Sequence, residues 1–185
     1  MIEWPAPESY EKTIPGKDEP GSFWEETGGK YNCGIDIFAP EGSPVVAPEG
    51  GRVIDNGRFT DSHTMPYFND TNYIIIRTST NLFLKLASLG NVYAKTGDIV
   101  RPGQKIGDIR KIVDDERIYN LIIHNNFILN SSNRNSYLHI ELTKPPIMQV
   151  RPYLAGYFTE NARPYSLINP EAYLNAALSE AVSAA

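Results

Sequence analysis

Residues 32–53 read NCGIDIFAPEGSPVVAPEGGRV, and this stretch decides the fold class. The short β-type runs at 45–47 and 52–54 are separated by a turn at 48–51 that is rich in proline and glycine. Glycines between such runs provide a positive φ or allow two backbones to approach closely. The stretch therefore predicts short strands joined by tight turns.

The same pattern of short strands continues to about residue 142. Residues 72–77 form the clearest predicted strand, and residues 81–89 read as a second strand that pairs with it. Strands this short, at this spacing, are typical of a compact antiparallel sandwich or barrel. The sequence therefore predicts a mostly-β fold.

Residues 137–142 alternate apolar and polar side chains, which is the periodicity of a strand. His139 and Glu141 alternate with leucine and isoleucine, so they are expected to share the face opposite the apolar side chains, in a cleft. Asp36 and His139 provide the oxygen and nitrogen ligand types that could share a divalent metal. The pair is thus a candidate metal site.

Composition divides the chain into three parts. Residues 1–21 are rich in proline and glycine and predict an extended N-terminal arm. Residues 22–145 form the predicted β-domain, in which the polar stretches 61–70 and 110–136 read as insertions. Residues 146–185 form a C-terminal extension that ends in a predicted helix.

The predicted helix has a clear beginning and one apolar face. Asn169 is the expected N-cap, and Pro170 then lies at the first helical position. The face expected to pack on the domain consists of Tyr173, Ala177, Leu178 and Ala181.

The bulk composition excludes several classes of protein. The 185 residues carry a net charge of −5 with scattered basic residues, so no face for nucleic acid is expected. A single cysteine, Cys33, rules out an internal disulfide and a thiolate-rich zinc site, and a buried small residue is expected there. No window has the length of a membrane span, and the first residues lack signal-peptide features, which favours a cytoplasmic location.

Three motifs, in the same order, resemble those of the M23 (lysostaphin/LytM-like) zinc metallopeptidases. Residues 32–53 match H-x-G-x-D, P-x-G-x-P-V-x-A and G-x-V in every element but the first histidine. Residues 86–107 resemble Y-x-H-L followed by the hairpin G-D-x-V-x-x-G-Q-x-I-G, and residues 137–141 resemble H-L-H-F-E. The resemblance implies the duplicated hybrid-motif β-fold of that family, here with a short C-terminal helix.

The resemblance also implies roles for five positions. In the family, the first histidine, the aspartate and the second histidine of H-x-H bind zinc, and these positions hold Asn32, Asp36 and His139. The histidine of Y-x-H and the first histidine of H-x-H assist acid–base catalysis and stabilise the oxyanion. These catalytic positions hold Ser88 and Tyr137. Two of three zinc ligands are therefore present, and neither assisting histidine is.

These substitutions weaken the chemistry that the family performs. A catalytic zinc takes three protein ligands and a water, and the amide oxygen of Asn32 is a poor replacement for an imidazole. Ser88 cannot replace an imidazole in proton transfer. Tyr137 can donate to an oxyanion, but a phenol of pKa about 10 is not a base at neutral pH. A weak or absent zinc site is expected.

Two functions remain open at this point. In the first, the domain no longer cuts peptides and is a binding or regulatory module for a peptide or cell-wall-like ligand, with the old cleft reused or filled. In the second, it is an active zinc metallopeptidase of Gly-rich or cell-wall peptides, in which His63 or His124 supplies a missing imidazole. The missing histidines favour the first.

Two further classes are disfavoured. A biotinyl- or lipoyl-type carrier needs an exposed lysine at a hairpin tip, whereas Lys85 and Lys105 lie within strand-like runs. A binding β-domain without enzymatic ancestry does not account for three motifs in the family's order.

Overall fold

The computed structural model describes residues 2–118, 135–146 and 153–183, and the side chains of the last helix to Ser179. His124 lies outside these ranges. The described strands are β1 (Glu26–Thr27), β2 (Lys30–Asn32), β3 (Ile35–Phe38), β4 (Pro44–Val46), β5 (Gly51–Thr60), β6 (Thr71–Thr78), β7 (Phe83–Val92), β8 (Ile99–Val100), β9 (Lys105–Ile109), β10 (Tyr137–Thr143), β11 (Tyr153–Leu154), β12 (Tyr157–Phe158) and β13 (Leu167–Ile168). They are joined by a 3₁₀ turn at Asp115–Arg117 and one helix, α1 (Glu171–Ser183). The prediction of a mostly-β fold with a short C-terminal helix is confirmed.

The described strands form two antiparallel sheets. The larger, nine-stranded sheet has the order β13-β10-β7-β6-β5-β8, with β3 paired to β10, and with β9 paired to both β7 and β4. β10 is central, since it pairs with β3 along one edge and with β7 along the other. The smaller sheet has the order β1-β2-β12-β11 and brings the C-terminal extension against β2.

The main core lies on the apolar faces of the central strands. β6 and β7 pair antiparallel, as the sequence of residues 72–89 predicts, and β10 covers the predicted strand at 137–142. Alternate side chains of these strands are fully buried: Ile74, Ile76, Leu84, Leu86, Leu138 and Ile140. Period-two burial of this kind fixes the register, because a shift by one residue would expose the whole apolar set.

The N-terminal arm has no helix or strand among its described residues, yet it is bound firmly to the domain. The amide of Glu3 donates to the carbonyl of Pro48 at 2.6 Å, and the amide of Val46 donates to the carbonyl of Pro5 at 3.0 Å. The side chain of Trp4 is buried in the main core. The prolines hold the backbone extended, so the arm runs along β4 as part of the packed structure.

α1 begins with the expected cap and packs on the main core. The side-chain oxygen of Asn169 accepts a hydrogen bond from the amide of Glu171 at 3.0 Å. The described helix residues that pack on the core are Tyr173, Leu174, Ala177 and Leu178. The prediction omitted Leu174, which broadens the apolar stripe of a helix that faces a sheet. Among the described residues, no helix has the length and apolar character needed to cross a membrane.

Candidate metal and catalytic site

The register of three strands brings the candidate residues together. On β10, His139 lies between Asp36 of β3 and Ala87 of β7, and Glu141 lies opposite Lys85 of β7. Residues paired across antiparallel strands point to the same face of the sheet. One histidine, two carboxylates and one lysine therefore lie together on the face opposite the main core.

His139 is buried and has both ring nitrogens next to carboxylates. Its Nδ1 lies 2.6 Å from Oδ1 of Asp36, and its Nε2 lies 3.1 Å from Oε1 of Glu141. An ionised carboxylate only accepts hydrogen bonds, so both nitrogens must donate and the ring must be a charged imidazolium. The ring also stacks on Phe59, with 5.5 Å between the ring centroids.

Asn32 holds the other side of Asp36. Its Nδ2 donates to Oδ2 of Asp36 and to the carbonyl of Ser22, both at 3.2 Å. Its Oδ1 accepts a hydrogen bond from the amide of Gly34 at 3.3 Å. Asn32, at the family's first zinc position, is therefore buried and hydrogen-bonded on both sides, and it holds the Asp36 carboxylate in place beside His139.

Lys85 and Tyr153 complete the cluster around Glu141. The Lys85 ammonium lies 3.2 Å from Oε1 of Glu141, and the Tyr153 hydroxyl donates to the same oxygen while contacting the ammonium. The two carboxylates, the ammonium and the imidazolium sum to zero charge. Buried ionic groups need this kind of mutual compensation, because an unpaired buried charge is strongly unfavourable.

The charges of the cluster hold one another in their ionised forms. Burial opposes the charge on His139, but Asp36 and Glu141 raise the pKa of His139 to about 9. Burial also opposes the charge on Glu141, but Lys85 and His139 lower the pKa of Glu141 to about 2. Both charges therefore persist at neutral pH.

We expect the stability of the metal-free chain to fall as the pH rises from about 6.5 to about 9. The pKa of His139 is higher in the folded state, so its stabilising contribution is complete below 6.5 and is lost as the pH rises through about 9. The contribution of Glu141 to stability changes with pH in the opposite direction, because its pKa is lower in the folded state. Its contribution is complete above 4.5 and is lost as the pH falls through about 2. Urea unfolding at a series of pH values measures how both contributions to stability change with pH, and NMR of the His139 ring measures its protonation. A ring that loses its proton below neutral pH would contradict this expectation.

Tyr137 and Ser88, at the family's catalytic positions, are both buried. Tyr137 lies two residues before His139 on the same strand and packs edge-on against Phe38, with 5.9 Å between centroids. Burial raises the pKa of Tyr137 well above its usual range, so its hydroxyl stays protonated. Ser88 is the extra residue of a bulge in β7, with φ of +65°, and its hydroxyl has no hydrogen-bond partner in the described part of the chain.

The hairpin of β11 and β12 covers the cluster. β12 pairs with β2, and the carbonyl of Gly156 accepts a hydrogen bond from the amide of Cys33 at 2.8 Å. Gly156 has φ of +88°, and a Cβ there would lie 2.8 Å from Nε2 of His139. The hairpin therefore closes on the imidazole only because this residue has no side chain.

Among the described residues, the remaining sequence candidates do not join the cluster. Cys33 is buried beside Phe158 and Leu167, and burial raises the pKa of its thiol, which fits a small packed residue. His63 is exposed in the loop of residues 61–70, so this loop conformation leaves it on the surface. His124 falls outside the described residues, and its role stays a prediction.

Zinc, the metal that the family's chemistry uses, does not fit the cluster as it is arranged. An imidazolium has no lone pair to offer, and His139 would have to lose a proton before binding a metal. Both oxygens of Asp36 and the amide oxygen of Asn32 already accept hydrogen bonds. Within the described ranges, no three His, Cys, Asp or Glu side chains are arranged to hold a metal ion.

Two cavities lie beside the cluster. A groove of about 580 Å³ runs between the N-terminal arm and β3, and its walls include Glu11, Glu19, Asp36 and Phe38. A smaller, mainly apolar cavity of about 230 Å³ lies between Tyr137 and the tip of the hairpin. Neither cavity exposes the ring nitrogens of His139, which are engaged by carboxylates.

Comparison with known proteins identifies the family. The family model described as Peptidase family M23 matches residues 30–126, which is just over half of the chain. The chain therefore belongs to peptidase family M23, as its three motifs indicated. A search of curated proteins found no significant match.

Several solved structures have a similar fold. The putative glycyl-glycine endopeptidase LytM of Ruminococcus gnavus is 19% identical, with 96% of this chain and 61% of that chain covered and a TM-score of 0.52. The catalytic domain of the antimicrobial peptidase lysostaphin from Staphylococcus simulans is 18% identical, with 78% and 80% covered and a TM-score of 0.48. The chain spans only half of a longer lysostaphin structure, 50%, at 18% identity, with 85% of this chain covered and a TM-score of 0.49. At these identities the likeness shows the fold alone.

Proposed function

We propose that this M23 domain is a non-catalytic binding or regulatory domain, which has the family's fold without its zinc chemistry. One observation supports this above the others: the ligand atoms at the family's zinc positions are all engaged within the protein. Asn32 accepts from Gly34, Asp36 accepts through both oxygens, and His139 donates through both nitrogens. A zinc ion would have to displace a proton and break these hydrogen bonds.

The residues at the family's catalytic positions also support a non-catalytic domain. Hydrolysis at neutral pH needs a group that can move a proton near that pH. The pKa of Tyr137 is raised by burial, and the two assisting positions themselves hold Ser88 and Tyr137, neither of which is an imidazole. Neither residue therefore replaces the assisting histidines of an active M23 enzyme.

The ligand we propose is a peptide or a cell-wall-like peptide. The groove beside β3 has a volume of about 580 Å³, which is in the range of pockets that enclose small ligands. Its lining combines the apolar side chains of Ile14 and Phe38 with the carboxylates of Glu11 and Glu19. Such a lining suits a peptide that carries apolar side chains and a positive charge.

We expect the protein, purified without an affinity tag, to contain far less than one zinc per chain. The reason is that binding must displace the proton of His139 from between two carboxylates. Elemental analysis of the wild type and of Asp36→Asn measures this, with Asp55→Asn, an exposed aspartate outside the cluster, as the matched control. The same samples are incubated with a Gly-rich peptide and a muropeptide, and no zinc-dependent cleavage is expected.

Near-stoichiometric zinc that is lost in Asp36→Asn but not in Asp55→Asn would overturn the proposal. Zinc-dependent cleavage that disappears in His139→Ala would do so independently, and would support an active metallopeptidase. His63→Ala and His124→Ala would then identify the third ligand.

A further inference from the structure

The C-terminal hairpin, Tyr153–Phe158, separates the His139–Glu141 pair from solvent, and it is intrinsically weak. Each of its strands has two residues, and the turn residues Ala155 and Gly156 both have positive φ, +44° and +88°. A two-residue turn of this kind favours Asn or Gly at the first position, so Ala155 is a poor turn residue. A hairpin of this length is not stable alone, and contacts with the domain must hold it closed.

These contacts join the hairpin to the domain at its two ends. At one end, the backbone of Tyr157 and Phe158 pairs with β2, and Phe158 packs on Cys33. At the other end, the Tyr153 hydroxyl donates to Glu141 and contacts Lys85, whose ammonium lies 4.5 Å from the Tyr153 ring centroid. Tyr153 as a whole is still 38% exposed, so a polar contact, and not burial in the core, fastens this end.

We propose that the hairpin Tyr153–Phe158 is a displaceable cover, latched by the Tyr153 hydroxyl, which controls access to the Asp36–His139–Glu141 cluster. It opens as a unit while the nine-stranded sheet stays folded. Segments built on strands of two residues open at free energies below that of global unfolding. Opening removes the partner of the Cys33 amide and one partner of Glu141, so the closed form predominates.

Cys33 reports directly on this opening. It is the chain's single cysteine, it is fully buried, and Phe158 of the hairpin packs against it. Lifting the hairpin takes Phe158 away from this thiol, so a small thiol reagent should react faster with open molecules, since reaction needs an exposed thiolate. When reclosing is fast, the labelling rate follows the equilibrium population of the open form.

We expect Tyr153→Phe to accelerate the labelling of Cys33 by about tenfold to a hundredfold, the effect of removing a hydrogen bond to a charged group. The substitution leaves the aromatic ring, and with it the contact with Phe158 at 5.8 Å between centroids. Tyr73→Phe is the matched control, because its hydroxyl donates to the carboxylate of Asp55 at 2.8 Å, outside the hairpin. It should change the labelling rate by less than about twofold, since a surface substitution of this kind has little effect on global stability.

Two further measurements keep the latch distinct from general destabilisation. Gly156→Ala forces a Cβ to within 2.8 Å of the His139 ring and should also accelerate labelling. Labelling in low urea should depend on urea much more weakly than global unfolding does, because little surface is exposed. The proposal that the hairpin is a cover would be overturned by either of two results. One is that Tyr73→Phe accelerates the labelling of Cys33 as much as Tyr153→Phe does. The other is that wild-type labelling depends on urea as strongly as global unfolding does. Zinc content does not enter these readouts, so the cover and the proposed loss of zinc chemistry can fail separately.

Discussion

His139→Ala is expected to lower the free energy of unfolding by about 3–5 kcal/mol, as is typical when one partner of a buried ionic network is removed. Among the described residues, His139 alone joins Asp36 to Glu141, through contacts of 2.6 Å and 3.1 Å. Without the imidazolium, Lys85 is the one positive charge that the described residues place against the two buried carboxylates. The truncation also leaves a void against Phe59, on which the ring stacks.

Urea unfolding of chelator-treated protein measures this effect and separates it from metal loss. A residue that only ligates zinc would contribute little to the stability of the metal-free chain, and the chelator itself would destabilise the wild type. We expect the chelator to have no effect on the wild type. His63→Ala is the control, since His63 is exposed, and it should change stability by less than about 0.5 kcal/mol. A loss at His139→Ala similar to that of the control would refute the structural role.

The fold could be predicted because its signals are local. Strand periodicity in residues 72–89 and 137–142 fixes which side chains face the core, and the turn residues fix where strands end. The alternation at 137–142 also placed His139 and Glu141 on one face, which their contacts with Asp36 and Lys85 reproduce. The motifs named Asn32, Asp36, Ser88, Tyr137 and His139 as the family's positions, but they could not say what these residues now contact.

The partners of the cluster could not be predicted, because they depend on pairing between distant strands. Lys85 meets Glu141 only through the register of β7 against β10. Tyr153 and Gly156 reach the cluster only because β12 pairs with β2, more than a hundred residues away in the chain. The sequence predicted a C-terminal extension at residues 146–185, with nothing to show where its first part would lie. The charged state of His139 follows from geometry alone, since two carboxylates flank one ring.

Gly34 is another position whose residue type the sequence could predict only in part, because the reason for it lies in a distant strand. Gly34 follows Cys33 at the start of the family motif, and the sequence allows either a positive φ or a close backbone approach there. The structure assigns the second cause. A Cβ on Gly34 would lie 2.2 Å from the carbonyl oxygen of Ile140 and 3.0 Å from Cε1 of His139. The carbonyl of Ile140 belongs to the backbone of β10, so it cannot move aside as the end of a flexible side chain would.

Gly34→Ala is therefore expected to destabilise the protein by about 3 kcal/mol, at the upper end of what overpacking a buried site costs. The added methyl group must push β10 away from the turn before β3, which also separates His139 from Asp36 and weakens the imidazolium pair. Gly50→Ala is the matched control, because its nearest neighbours would lie at 3.5 Å, an ordinary contact distance. It should change the free energy of unfolding by less than about 0.5 kcal/mol. Urea unfolding of both variants, with NMR of the His139 ring, tests the link between packing and the cluster. A destabilised Gly34→Ala whose His139 still titrates as in the wild type would show that β10 accommodates the methyl group without disturbing the site.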